Sequence, residues 1–263
     1  MALVRNYFRG FASGPDFKNT KRIAFVLEDS ELCVTVPMSD IITDEPPRDI
    51  NFPFKQEGWF DKNREQERQH LYVNIYTDFW YYFPPVSISP GSEYGMLALS
   101  IWLKRVPSHI NALDRKALAK AVVEEYEQHY NSPKVGGPGE HGLGVNTKIR
   151  KKVAEQSAAR ATPFSEDRLA REVALSIEQS GGVPIAPAEV VTLNDQDWVF
   201  YREDNPSRTK SRQDFYCFPL DECYYLQVRF KHRVDRSEKV AWQKDANEAQ
   251  QKILNALRVN AKA

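Results

Sequence analysis

HLYVNIYTDFWYYF, at His70–Phe83, is the clearest β-strand in this sequence of 263 residues. Successive side chains of a strand point to opposite faces of its sheet, so the segment divides into two sets. The set predicted to face a core is Leu71, Val73, Ile75, Phe79, Tyr81 and Phe83. The segment Gly95–Val106 alternates in the same way, with inward positions at Leu97, Leu99, Ile101 and Leu103. The two segments are predicted to be antiparallel neighbours in one sheet.

The opposite face of the first strand is also aromatic, and it carries Tyr72, Asn74, Tyr76, Asp78, Trp80 and Tyr82. One interpretation is a central strand that is covered on both faces. The other is an exposed aromatic surface, because Tyr and Trp are enriched in the hot spots of protein interfaces. Under the second interpretation, and provided that they are exposed, the partner-binding anchors are Tyr72, Tyr76 and Trp80.

Further strands are predicted at Arg22–Leu27, Glu31–Val36, Glu189–Leu193, Asp197–Arg202, Gln213–Phe218 and Cys223–Lys231. Apolar residues that recur every three or four positions predict helices at Asn111–Tyr130, from Ser165 to Gly181, and at Ser237–Leu257. This order of elements indicates an α+β fold, with a mainly antiparallel sheet or sheets flanked by helices. Five glycines in Lys134–Asn146 mark the sharpest break in composition. The predicted parts are an N-terminal α+β half (1–133), a Gly-rich and helical connection (134–184), and C-terminal strands with a closing helix (185–263).

Composition excludes several classes of protein. The chain has 36 basic and 36 acidic residues, which argues against a generic nucleic-acid binder with a basic excess. No apolar run reaches the length of a membrane span, and the N-terminus lacks the apolar core of a secretory signal. The three cysteines cannot all pair with one another and suit a reducing compartment. The expectation is a cytoplasmic protein without a membrane or direct nucleic-acid partner.

The motifs that carry chemistry are weak. The segment Gly137–Gly142 fits G-x-G-x-x-G, but it follows a helix, and Pro138 removes one of the amides that would meet a phosphate. No two of the five histidines have the spacing of metal ligands, and no cysteine has an evident base. The sequence therefore predicts no catalytic residue, no metal and no cofactor, and a protein that is not an enzyme.

Charge is concentrated near the N-terminus. Glu28–Asp49 holds seven acidic residues against Arg48 alone. Such runs are commonly solvated loops, but clustered charge can also steer and orient a partner of opposite sign. The predicted electrostatic contacts to a basic partner are Asp40, Asp44, Glu45 and Asp49.

The C-terminal part resembles the end of PsbP-like sheets. The resemblance is one of pattern, carried by the strands Asp197–Arg202, Gln213–Phe218 and Tyr224–Phe230, the turn at Pro219, and a closing helix with Trp242 and Leu254–Val259. Bacterial proteins of that general shape occur beside type VI secretion effectors as immunity proteins or chaperones. The resemblance implies that the chain binds and neutralises a cognate toxin, and it brings no catalytic residues with it.

The resulting hypothesis is an immunity protein for a type VI secretion toxin that acts in the cytoplasm, most simply a nuclease. Inhibition would follow from occlusion of the toxin or from blocking its assembly. An adaptor that loads an effector for secretion has the same binding requirements and is the first alternative. The second alternative is a small-molecule enzyme with a cleft between the halves, whose candidate residues are His70, Asp78 and Glu125. The sequence leaves the oligomeric state open.

Overall fold

The computed structural model describes residues 7–38, 50–86, 91–133, 142–204, 211–236 and 241–261. Its strands are β1 (Ala12–Ser13), β2 (Thr20–Leu27), β3 (Ser30–Pro37), β4 (Glu65–Glu67), β5 (His70–Phe83), β6 (Gly95–Arg105), β7 (Glu189–Leu193), β8 (Gln196–Asp204), β9 (Arg212–Pro219), β10 (Tyr224–Val234) and β11 (Arg258–Ala261). Its helices include α1 (Trp59–Asn63), α2 (Arg115–Asn131), α3 (Val145–Ala158), α4 (Glu166–Ser180) and α5 (Ala241–Asn255). The predicted α+β class is confirmed.

Both halves of the chain contribute to one large antiparallel sheet. Its order is β1-β5-β6-β10-β9-β8-β7, and β4 pairs separately with the start of β5. The predicted pairing of β5 with β6 is confirmed, and β6 pairs along its whole length with β10 from the C-terminal part. A second sheet has the order β11-β3-β2, so the last described strand pairs with an early one. The two ends of the chain are therefore held together by backbone hydrogen bonds.

The large sheet is covered on both faces. On one face, the core includes Trp80 of β5, Trp242 of α5, and apolar side chains of the small sheet. On the other face, α2 packs Leu118 and Val122 against a second cluster that includes Trp102 of β6. Asp114 caps α2, because its carboxylate accepts hydrogen bonds from the first free amides of the helix. The covered-strand interpretation of β5 is the one that the structure supports.

A β-bulge in β5 changes which side chains face the core. Pairing with β6 shifts register between Asn74 and Tyr76, so Ile75 is an additional residue in β5. A bulge of this kind reverses the alternation for the remainder of the strand. After it, the even-numbered Trp80 and Tyr82 point into the core, and the odd-numbered set is partly exposed. The prediction that Phe79, Tyr81 and Phe83 face inward with the earlier odd residues is therefore wrong.

Helices α3 and α4 lie between the two halves, in the predicted connection, and one asparagine joins them to α2. The side chain of Asn146 donates to the carbonyl of Gly182 at 2.7 Å and accepts from its amide at 2.9 Å. It also donates to Asn131 at the end of α2. A Cβ on Gly182 would lie 2.2 Å from the ring of Tyr130, so the close packing here requires glycine. The base of the α3–α4 pair is thus fixed to the sheet domain.

The three cysteines are free thiols, and Cys33 and Cys217 are buried. Burial raises the pKa of Cys217 to about 12, which keeps it protonated and unreactive. We expect a triple variant, Cys33→Ala, Cys217→Ala and Cys223→Ala, to remain folded and to keep its binding function. The expected packing cost is of order 1–3 kcal/mol, measured by urea unfolding. A folded triple variant that has lost function would contradict this prediction.

Candidate functional site

The predicted partner-binding residues fall into two groups. Asp40, Asp44, Glu45 and Asp49 lie in the segment 39–49, outside the described residues. The predicted anchors are all buried, with exposed fractions of 8% for Tyr72, 6% for Tyr76 and 0% for Trp80. Their assignment as exposed anchors is therefore corrected.

Each of the three rings has an internal partner that explains its burial. Tyr72 stacks on Trp102 with ring centroids 4.2 Å apart. The hydroxyl of Tyr76 donates to Asp78 at 2.5 Å, and Trp80 lies fully inside the core. Tyr76 and Trp80 face the core because of the bulge at Ile75, and Tyr72 lies on the opposite face, which α2 covers.

The partly exposed aromatic side chains of β5 belong instead to the other parity. Phe79, Tyr81 and Phe83, here called the aromatic strip, follow one another along one face of the strand. Their ring centroids lie 5.7 Å apart between the first two and 6.1 Å apart between the last two. The guanidinium of Arg233 lies 5.7 Å from the ring centroid of Tyr81. The strip combines apolar area with one hydroxyl, as interface anchors commonly do.

The acidic segment 39–49 is flanked by two exposed apolar residues that the structure describes. Met38 is 54% exposed and Ile50 is 64% exposed. The indole of Trp80 donates to the carbonyl of Met38 at 3.1 Å, and the carbonyl of Ile50 accepts from the amide of Val26 at 2.7 Å. Both ends of the segment are therefore fixed to the fold, and its first end lies beside β5.

A buried cluster of charged residues lies between α2 and the large sheet. The ammonium of Lys104 donates to both carboxylate oxygens of Glu125, at 2.8 and 2.7 Å, and lies 3.0 Å from Nδ1 of His70. His70 also approaches Glu203, with 3.8 Å between Nε2 and Oε1. Four elements, β5, β6, α2 and β8, each contribute one of these four side chains.

The environment of the cluster separates the pKa values of its two carboxyl groups. Burial raises the pKa of Glu203 to about 7. Burial acts in the same direction on Glu125, but the Lys104 ammonium and the contacts with His70 together outweigh it and lower the pKa to about 2. Burial and the same ammonium lower the pKa of His70 to about 4, so its imidazole is neutral at pH 7. Such divergence is found in catalytic sites and also in structural ion-pair networks.

Two cavities lie along α2 and share this cluster. The first, of about 330 Å³, is lined by Tyr126 and Tyr130 of the helix and by Glu203. The second, of about 290 Å³, has Lys104 and Glu125 in its lining. Of the residues named for the enzyme alternative, His70 and Glu125 therefore come together. Asp78 does not, because it lies on the opposite face of the sheet in an ion pair with Lys21 at 3.0 Å.

Sequence reasoning missed Lys104, Glu203 and Arg68, which lines the first cavity. Lys104 has the parity opposite to the inward positions of the strand Gly95–Arg105, so alternation predicts that it faces outward, and it is buried because both faces of this strand are covered. Glu203 and Arg68 gave no signal either, because charged residues at the ends of strands and in turns are usually solvated.

Within the described ranges, no group of three or more His, Cys, Asp or Glu side chains is arranged to hold a metal. Among the described helices, none combines the length and apolar character needed to cross a membrane.

Comparison with known proteins finds little. No protein-family model matches the chain, and no curated protein matches it. A solved structure, described as "Crystal structure of LpqN involved in cell envelope biogenesis of Mycobacterium tuberculosis", aligns with 97% of this chain and 95% of its own. The sequence identity is 10% and the TM-score is 0.31, and a similarity at this level carries no argument about fold or function.

Proposed function

We propose that this protein is an immunity protein that binds and neutralises a cognate toxin of a type VI secretion system in the cytoplasm. A nuclease is the toxin class that fits best, because a surface that binds nucleic acid is basic and complements an acidic segment. Occlusion of the toxin or prevention of its assembly requires no chemistry by the immunity protein. The proposed contact surface consists of the acidic segment 39–49, its flanks Met38 and Ile50, and the aromatic strip.

The observation that supports this surface is the hydrogen bond from Trp80 to Met38. Trp80 lies in β5 between Phe79 and Tyr81, two members of the aromatic strip. The first end of the acidic segment therefore lies beside β5, on the face opposite to the strip, and the proposed partner contacts both faces of this strand. Exposed apolar side chains at both ends of the segment add contact area.

The test uses a candidate toxin encoded beside the gene for this protein. Co-expression should restore growth, and the purified pair should form a complex in which the toxin is inactive. Replacing Asp40, Asp44, Glu45 and Asp49 with lysine should slow association at low salt by about tenfold or more, and flatten its salt dependence. Tyr81→Ala should accelerate dissociation by roughly 30-fold if the ring is a hot spot worth about 2 kcal/mol.

Val190→Ala is the matched control, because Val190 is an exposed apolar residue on the far edge strand of the same sheet. It should leave both rate constants unchanged. A bound effector that keeps its full activity would support the adaptor alternative and reject neutralisation. Failure of the neighbouring toxin to bind at all, together with turnover of a small metabolite, would favour the enzyme alternative.

A further inference from the structure

We propose that the cavity between Arg68, Lys231 and the base of α3 binds a small organic oxyanion, a molecule that carries a carboxylate or phosphate group. This site is separate from the proposed toxin contacts and does not depend on them. Its volume of about 330 Å³ is at the lower end of the range for ligand pockets and suits a small metabolite. Two basic side chains of its wall, Arg68 and Lys231, form no ion pair within the described residues.

Two basic side chains in the wall form no ion pair with a described carboxylate, although Glu67 and Glu203 act on them over a longer distance. Arg68 lies in the turn between β4 and β5, where it is exposed at the rim of the cavity, and it interacts with Tyr130. Lys231 lies on β10 and faces the same side of the sheet as Gln213. Within the part of the chain that the structure describes, neither Arg68 nor Lys231 has a carboxylate within ion-pair distance. A guanidinium and an ammonium directed at one cavity provide the usual contacts for an oxyanion.

The electrostatic environment of Lys231 favours a bound anion. Burial lowers the pKa of Lys231 and the neighbouring positive charge of Arg229 lowers it further, while Glu67 raises it in part. A bound anion would offset both effects, because an opposite charge favours the ammonium form. The guanidinium of Arg212, which also lines the wall, lies 3.4 Å from Asp214 and shares this carboxylate with Arg202, which is closer at 2.6 Å.

The acidic side chains of the cavity oppose an anion only weakly. Glu203 is buried, and its raised pKa reduces the negative charge that it carries near neutral pH. It also accepts hydrogen bonds from Gln69 at 3.1 Å and Gln213 at 3.3 Å. Asp204 is exposed at the rim, where water screens it.

The backbone at the base of the α3–α4 pair forms the remaining wall of the cavity. Val145, the first residue of α3, lines the cavity, and its N-cap Gly144 provides no side chain to cap the helix. Gly181 and Gly182 also line it, and Asn146 holds Gly182 in place from behind. The positive end of a helix dipole therefore adds to the two basic side chains.

The test is to titrate the full chain with sodium phosphate and with sodium succinate. Calorimetry measures the binding, and the midpoint of thermal unfolding measures the stabilisation. Erythritol serves as an uncharged solute of similar size. At least one of the two anions should bind and raise the midpoint, and the uncharged solute should not. Lys231→Met should weaken that binding at least tenfold. Lys148→Met, on the exposed side of α3, removes the same charge away from the cavity and should leave binding unchanged.

A second variant separates binding from folding. Arg68 has a φ of 55°, a backbone conformation that favours glycine, so Arg68→Gly removes the guanidinium and relieves the backbone. It should weaken anion binding at least tenfold while the thermal midpoint of the unliganded protein stays equal or rises. Equal affinity in Lys231→Met and Lys148→Met would overturn the proposal. If neither phosphate nor succinate binds at concentrations up to about 20 mM, the proposal is overturned as well, because weaker binding would be of no interest.

Discussion

Replacing Trp80 with alanine should lower the free energy of unfolding by about 3–5 kcal/mol, the range for removal of a large aromatic from a packed core. Trp80 is fully buried in the cluster that joins the large sheet to α5 and the small sheet. The substitution leaves a cavity and also removes the indole that donates to Met38. Urea unfolding monitored by far-ultraviolet circular dichroism measures the loss, and the remaining tryptophans serve as a second probe.

Tyr81→Ala is the control for this prediction, because Tyr81 is the next residue of the same strand and points to the other face. Its ring is partly exposed, so the expected loss is smaller, about 1–2 kcal/mol. Trp80→Phe should be intermediate, since it keeps an aromatic ring but removes the hydrogen-bond donor. If Tyr81→Ala were the more destabilising of the two alanine variants, the bulge at Ile75 would be in the wrong place.

The same bulge shows where sequence-based prediction of this fold stops. The bounds of β5 agree with the prediction, and the strands predicted at Gly95–Val106 and Glu189–Leu193 form as expected. These elements follow from local alternation and from β-branched and aromatic residues. The additional residue at Ile75 is apolar in either register, so nothing in the sequence marks the change of parity. The covered-strand interpretation allowed for the burial of Trp80, but alternation alone could not predict that it shares a face with Val73 and Ile75.

Long-range contacts account for the remaining differences. β11 has four residues and forms because β3 offers a free edge, which local sequence does not reveal. The cluster beneath α2 depends on Lys104, Glu125 and Glu203, which are far apart in sequence and are brought together by the order of strands. Charge counts located the acidic segment, but they could not locate a buried group of opposite charges. Local patterns predicted the elements, and the topology determined the site.

The variant Glu203→Gln should have a larger free energy of unfolding than the natural chain, and the difference should grow as the pH increases. The pKa of Glu203 is raised from its ordinary value of 4.5 to about 7, so the folded protein retains a proton that the unfolded chain releases. The stability that Glu203 contributes is therefore fully present below pH 4.5 and is lost as the pH rises through 7. The difference between the two pKa values corresponds to about 3 kcal/mol. Glutamine has the shape of the protonated acid but cannot ionise, so the variant should gain roughly this amount between pH 4 and pH 8.

Urea unfolding at several pH values measures the gain, and two comparisons isolate its source. His70 acts in the opposite direction, because its pKa is lowered to about 4 and the folded protein loses stability as the pH falls below 6.5. His232, whose pKa burial also lowers to about 4, acts in the same direction as His70, so the natural chain should gain stability between pH 4.5 and 6.5 and the variant should gain it more steeply. Asp204→Asn removes the same charge from the exposed neighbour and should reproduce the natural profile. Identical profiles for Glu203→Gln and Asp204→Asn would mean that Glu203 is solvated and that the cluster beneath α2 is open to water.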